Sequence, residues 1–170
     1  MIDLAKYTKQ LSKLLETSDN ILLICHINPD GDAVGSQLAL YQYLNSRGKN
    51  VNMISPNNLQ EFLKWMTNAG LINIFIRKRS ECISLIEKAN LIIMIDFNQP
   101  GRLGEAENYV TDSTAKKVII DHHLDPHNFA DLIISDPSKC STAELIYELI
   151  SQINGKPFTD IIYFENIYMS

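Results

Sequence analysis

The chain has 170 residues, 45% of them hydrophobic, three cysteines and a formal net charge of -5. That length suffices for one domain with its own core, and the acidic balance excludes a broad face for duplex nucleic acid or for a membrane. The odd cysteine count, with no C-x-x-C pair, argues against a disulfide framework or zinc ribbon. It leaves Cys25, Cys82 and Cys140 expected as buried free thiols of a reducing compartment.

The opening run MIDLAKYTKQLSKLL reads as an amphipathic helix and lacks the long apolar segment of a signal peptide. No stretch approaches the roughly 20 apolar residues of a membrane span, so a cytoplasmic protein is expected. ILLIC (21–25) is strand-like. From Asp32 to Arg47 apolar residues recur at helical spacing, and Gly48 is placed to end the helix. VNMIS (51–55) predicts a strand stopped by Pro56, EFLKWM (61–66) a short helix, and INIFI (72–76) a strand. SECISLIEKA (80–89) predicts a helix capped by Ser80. LIIMID (91–96), KVIIDHH (117–123) and DLIIS (131–135) read as strands. QPGRLGEAENYVTDSTAKK (99–117) is the one loose region. STAELIYELISQI (141–153) predicts a helix with Ser141 and Glu144 at capping-box spacing, closed by Gly155–Pro157, and a final helix starts near Thr159. Continuous apolar strands separated by helices predict an α/β fold: a mainly parallel sheet with helices on both faces.

Three of these strands end in metal-ligand side chains. The first runs into His26, Asp30 and Asp32, the second into Asp96, and the third into Asp121, His122 and His123. The carboxyl ends of parallel strands line one edge of an open sheet, where ligands bind. One Asp after a strand is an ordinary turn residue or helix cap. Three titratable residues directly after an apolar strand are costly to bury unless paired or bound to metal. Capping does not explain all three clusters together, so a shared metal site is expected. Carboxylates and imidazoles without thiolate favour Mn²⁺ or a similar ion. The donors exceed what one ion needs, which suits two ions roughly 3.5–4 Å apart bridged by a carboxylate, an arrangement fitted to phosphoester hydrolysis. An Arg six residues after a metal-binding Asp, Arg102, suits a forked phosphate contact. Gly35 and Ser36 sit near the start of the following helix, where backbone N–H groups could face an anion.

The segments HINPDGDAVGS, MIDFNQPGRLG and IIDHHLDP, in that order, resemble the first three motifs of the DHH phosphoesterases, and STAELIYELI resembles the helix after the third. The resemblance covers about residues 20 to 170 and is closest to the oligoribonuclease and 3′-phosphoadenosine 5′-phosphate (pAp) phosphatase branch. It implies that His26, Asp30 and Asp96 hold one Mn²⁺, and that Asp32, Asp96 and His122 hold a second, with Asp96 bridging. It implies that His123 faces the scissile phosphate, that Asp121 orients a histidine from behind, and that Arg102 meets substrate phosphate. The implied substrate is a short single-stranded oligoribonucleotide, pAp or a cyclic dinucleotide. In that family a further Asp, in an Asp-Thr-Gly segment, follows just beyond the equivalent of Ser170, and then a second domain, DHHA1. Residues 1–170 are therefore expected to be a metal-binding domain incomplete at its C-terminal end, with the second metal position weakened and activity reduced. Apolar surface left uncovered is expected to favour self-association, for instance as a homodimer.

Other features read as structural: Phe62, Trp65 and Met66 as core or domain-contact surface, His127 as a loop residue and Asp136 as a turn residue. Cys140 has no recognisable base for nucleophilic chemistry. No G-x-G-x-x-G or G-x-x-x-x-G-K-[ST] is present, which disfavours a dinucleotide-binding sheet and a P-loop NTPase. The alternatives are a related inorganic pyrophosphatase or polyphosphatase, and a nucleotide-binding fragment without catalysis.

Overall fold

The structure, a computed structural model, describes residues 2–169. Met1, in the N-terminal helical run, and Ser170, at the end of the C-terminal one, lie outside the described residues. The elements in order are α1 (Leu4–Thr17), β1 (Asn20–Cys25), α2 (Gly31–Ser46), β2 (Asn50–Ser55), β3 (Ile72–Ile74), α3 (Arg79–Lys88), β4 (Leu91–Ile95), α4 (Glu107–Thr111), β5 (Lys116–Asp121), β6 (Leu132–Ser135), α5 (Thr142–Asn154) and α6 (Ile161–Tyr168). All strand pairs are parallel, and the six lie in the order β3-β2-β1-β4-β5-β6. The chain begins mid-sheet, steps outward through β2 and β3, then returns to lay β4 against the other side of β1. Strand order therefore reverses between β1 and β4, and the loops leaving them diverge to open a crevice at the carboxyl edge.

The strands read as unbroken apolar runs because both faces are buried. Ile21, Leu23, Ile93, Ile95, Val118 and Ile120 pack with α1, α2, α5 and α6 through Leu11, Leu38, Leu149 and Tyr163. Their alternates Leu22, Ile24, Ile92, Met94 and Ile119 pack on the opposite side with Cys82 and Ile86 of α3 and Val110 of α4. The two-residue period of the strand sorts neighbouring residues into separate cores.

Helix ends follow local chemistry. Asp30 caps α2, Ser141 caps α5 and Asp160 caps α6, each accepting from a backbone N–H three residues on at 3.0–3.1 Å. Gly48 and Gly155 take left-handed φ of 73° and 69° just past α2 and α5, where a Cβ would be strained.

Several expectations change. Only Glu61–Leu63 forms a helical turn within 61–66, and it is a 3-10 turn. Strand β3 ends at Ile74 rather than Ile76. Helix α3 starts at Arg79 after Lys78, with no side-chain cap, so Ser80 is inside it. The loose segment is ordered as a 3-10 run, Pro100–Ala106, leading into α4. Met66 is core, whereas Phe62 and Trp65 are mostly exposed. Cys25 and Cys82 are buried but Cys140 is exposed. Burial pushes the Cys25 thiol up to about 12, consistent with a packing role. None of the described helices is long and apolar enough to cross a membrane.

The Tyr163 ring of α6 is wholly buried against Phe158 and Phe164, yet its hydroxyl has no partner among the described residues. Removing that hydroxyl removes an uncompensated polar atom, while removing the ring opens a cavity. Tyr163→Phe is expected to hold or raise stability in denaturant unfolding, and Tyr163→Ala to cost about 3–5 kcal/mol. A Tyr163→Phe loss comparable to that of Tyr163→Ala would contradict this packing.

Candidate metal centre

The residues singled out at three strand ends converge. Asp96 directly follows β4, with its N–H donating to the Ile120 carbonyl at 3.0 Å and a left-handed φ of 66°. Asp tolerates that conformation better than branched residues do, though it is rarely populated. It turns the side chain into the crevice between β1 and β5, where the residue is only 2% exposed.

Imidazoles flank this carboxylate. His26 Nε2 is 3.6 Å from Asp96 Oδ2 and 4.0 Å from Asp30 Oδ1. His122 Nε2 is 3.8 Å from Asp96 Oδ1 and 3.6 Å from Asp32 Oδ2. These separations exceed hydrogen-bond length. Each ring is held from its far side. His26 Nδ1 donates to the Ile27 carbonyl at 2.7 Å, and His122 Nδ1 to the Lys139 carbonyl at 3.3 Å. That tautomer leaves each Nε2 lone pair aimed at the carboxylates, a pattern typical of metal-ligating histidines. Two groups of three share Asp96 and lie with donor atoms within 4.8 Å of one another: His26, Asp30 and Asp96, and Asp96, His122 and His123. Carboxylate oxygens and imidazole nitrogens spaced too far for hydrogen bonds, yet close enough to share an ion, fit divalent cations on both sides of Asp96.

His123 enters the second group where sequence suggested Asp32. Its Nδ1 donates to Asp121 Oδ1 at 2.7 Å and lies 3.8 Å from Asp96 Oδ1. The His123 side chain is 54% exposed, so the ring is largely open to solvent. Asp121 is fully buried, and its second oxygen has no partner among the described residues. Asp32 sits beside His122, but both its oxygens are already engaged. Oδ2 accepts from Thr142 N at 2.8 Å, and Oδ1 accepts from Ala143 N at 3.0 Å and from Ser36 Oγ at 3.2 Å.

Gly35 and Ser36 do not present N–H groups to an anion. Helix α2 begins at Gly31, placing both beyond the first four unsatisfied donors, and Ser36 instead supports Asp32 through its hydroxyl. Arg102 lies at the rim, with Nη2 3.1 Å from His26 Nδ1, and its carbonyl accepts from Ile27 N at 2.8 Å. Gly104 allows this close approach: at φ 56°, a Cβ there would stand 2.7 Å from Ile27 Cγ2. His127 is an exposed loop residue, and Asp136 makes turn bonds to the Ser138 N–H and hydroxyl at 3.1 and 2.6 Å.

Two supports had no signature in the sequence. Buried Asn98 donates to the carbonyls of His123 and Leu124 at 3.3 and 2.9 Å and accepts from His127 N at 3.0 Å, clamping the loop after β5. Thr142 Oγ1 donates to Asp96 Oδ1 at 2.7 Å.

A parallel α/β sheet with carboxylates and imidazoles gathered at its switch point is a class of site that could hold metal ions, and the comparisons name the family. The model of the DHH family, N-terminal domain, matches residues 20–167, and the chain belongs to that family. It is 38% identical to an exopolyphosphatase-related protein of Bacteroides fragilis, with a TM-score of 0.93 over 97% of this chain and 48% of that one. It is 30% identical over 135 residues (76% of this chain, 36% of the relative) to the bifunctional oligoribonuclease and PAP phosphatase NrnA of Thermus thermophilus. It is 26% identical to the cyclic-di-AMP phosphodiesterase PdeA of Listeria monocytogenes, over 84% of this chain and 22% of that protein. The chain thus spans less than half the length of each.

Charge follows the geometry. Burial works against a charged His26, but the Asp96 carboxylate and the Ile27 carbonyl outweigh it and raise the imidazole above its usual 6.5. Burial and then Asp96 push Asp32 upward, against the pull of the Thr142 and Ala143 N–H groups. In metal-free protein, His26 therefore contributes stability that is full below about pH 6.5 and is lost as pH rises through its higher folded value. Melting in chelator is expected to show wild type's advantage over His26→Gln shrinking as pH rises beyond 6.5. An advantage that grows with pH would contradict the raised value.

Proposed function

We propose that this domain is the metal-binding domain of a Mn²⁺-dependent phosphoesterase that hydrolyses small nucleotide substrates: short oligoribonucleotides, pAp or cyclic dinucleotides. The observation that carries the reading is Asp96, one buried carboxylate with an imidazole nitrogen 3.6 Å from one oxygen and another 3.8 Å from the other. His26, Asp30 and Asp96 would hold one cation, and Asp96, His122 and Asp32 the second, with Asp96 common to both. Divalent cations held there supply Lewis-acid charge to the phosphoryl group and acidify the attacking water.

The chain's own groups do the rest. Arg102, exposed at the rim, pairs with phosphate oxygens and offsets their growing charge. His123 is oriented by Asp121 through Nδ1–H; a second proton taken up from water at Nε2 is the one it delivers to the leaving oxygen as the P–O bond breaks, which leaves the ring neutral. Burial of Asp121 keeps that pairing away from water. The names of the Thermus and Listeria relatives, an oligoribonuclease and PAP phosphatase and a cyclic-di-AMP phosphodiesterase, support nucleotide phosphoesters as substrates. The Bacteroides protein's description as exopolyphosphatase-related supports a second reading, hydrolysis of polyphosphate or pyrophosphate.

Calorimetric titration with Mn²⁺ is expected to show binding that Asp96→Ala removes on both sides of the carboxylate. Mn²⁺ binding by Asp96→Ala equal to wild type would refute the assignment. With Mn²⁺ present, turnover of a diadenylate or pAp above that of pyrophosphate or tripolyphosphate is the expected order, and the reverse order would favour the second reading.

A further inference from the structure

We infer that Thr142, at the first turn of α5, is a positioning residue for the carboxylates on which the second cation position depends. The inference rests on the metal reading proposed for Asp96. Thr142 is fully buried and touches two acids that sequence places 46 and 110 positions away. Its hydroxyl donates to Asp96 Oδ1 at 2.7 Å, and its backbone N–H donates to Asp32 Oδ2 at 2.8 Å. The next N–H, of Ala143, takes the other Asp32 oxygen at 3.0 Å. Three residues earlier, the Lys139 carbonyl receives His122 Nδ1. The segment Lys139–Ala143 thus touches Asp32, Asp96 and His122 from behind.

These bonds constrain the free lone pairs. A carboxylate oxygen has two acceptor directions. The Thr142 hydroxyl occupies one at Asp96 Oδ1 and leaves the other on the side of His122 Nε2, 3.8 Å away. Asp96 Oδ2 accepts no such hydroxyl bond among the described residues and faces His26. The two oxygens are therefore assigned to opposite sides of the crevice. Asp32 is held alike, by N–H groups that carry the positive end of the α5 dipole and favour its ionised form beside Asp96. Ser141 accepts from Glu144 N, so capping of α5 is met by its neighbour and does not require the Thr142 hydroxyl.

The test uses Mn²⁺ titration by calorimetry, with melting in chelator as the readout for fold. Thr142→Val keeps shape and backbone N–H but removes the hydroxyl. Loss of an outer partner typically weakens metal binding roughly 10–100-fold, and that weakening is expected here in a variant that still melts cooperatively in chelator, with Thr142→Ser within about threefold of wild type. Thr142→Val binding Mn²⁺ as wild type does, or Thr142→Ser as weak as Thr142→Val, would overturn the inference. Should Thr142→Val not fold, Thr142→Ala and Thr142→Ser decide: weak binding in Ala with wild-type binding in Ser supports the hydroxyl's role, and equal affinities sink it. Asp96→Ala separates the two readings. If it binds Mn²⁺ normally, the metal assignment fails and this inference with it. If Asp96→Ala abolishes binding while Thr142→Val does not, only the inference on Thr142 fails.

Discussion

The site turns on one buried carboxylate. Asp96 is almost wholly removed from water, and among the described residues no Lys or Arg forms an ion pair with it. An ionised carboxylate so placed is costly unless a countercharge or several hydrogen bonds compensate it. The structure supplies one side-chain hydroxyl bond, from Thr142, and imidazoles on either side, each too distant to hydrogen-bond and each with its other nitrogen tied back. A protonated histidine beside the carboxylate offsets part of its charge. A divalent cation between carboxylate and imidazole relieves it more completely.

The sheet topology is what makes this arrangement available. With β1, β4 and β5 adjacent and parallel, His26, Asp96 and Asp121–His123 emerge at one edge although they span almost a hundred positions. Apolar packing on both faces fixes the strands, so the donors leave a rigid frame. The loops only orient them: Asn98 clamps the loop after β5, and Gly104 lets the Arg102 segment lie against Ile27. Helix α5 closes the far side by turning its N–H groups toward Asp32.

Much of this was legible in the sequence because the signals were local. Unbroken runs such as Leu91–Ile95 marked strands buried on both faces, and titratable residues at their ends marked the functional edge. The spacing of Ser141 and Glu144 found the start of α5 to within one residue. What escaped reading depends on distant partners. Nothing around Thr142 distinguishes a first-turn threonine facing solvent from one bonded to an acid 46 residues earlier. Asn98 looks like a turn residue until the loop it clamps is placed. Residues 61–66 are the reverse case, in which good local helix signals yield to tertiary packing, whereas at Ser80 the helix forms but starts one residue earlier, at Arg79, without a side-chain cap. Gly35 and Ser36 lie away from the helix end because α2 begins a turn earlier, at Gly31 after the Asp30 cap.

The most direct measurement is anomalous diffraction at the manganese edge from crystals grown with Mn²⁺. Peaks on the two sides of the Asp96 carboxylate, one toward His26 and Asp30 and the other toward His122, are expected. A crevice without a peak, or manganese bound only at surface carboxylates elsewhere, would contradict the metal centre.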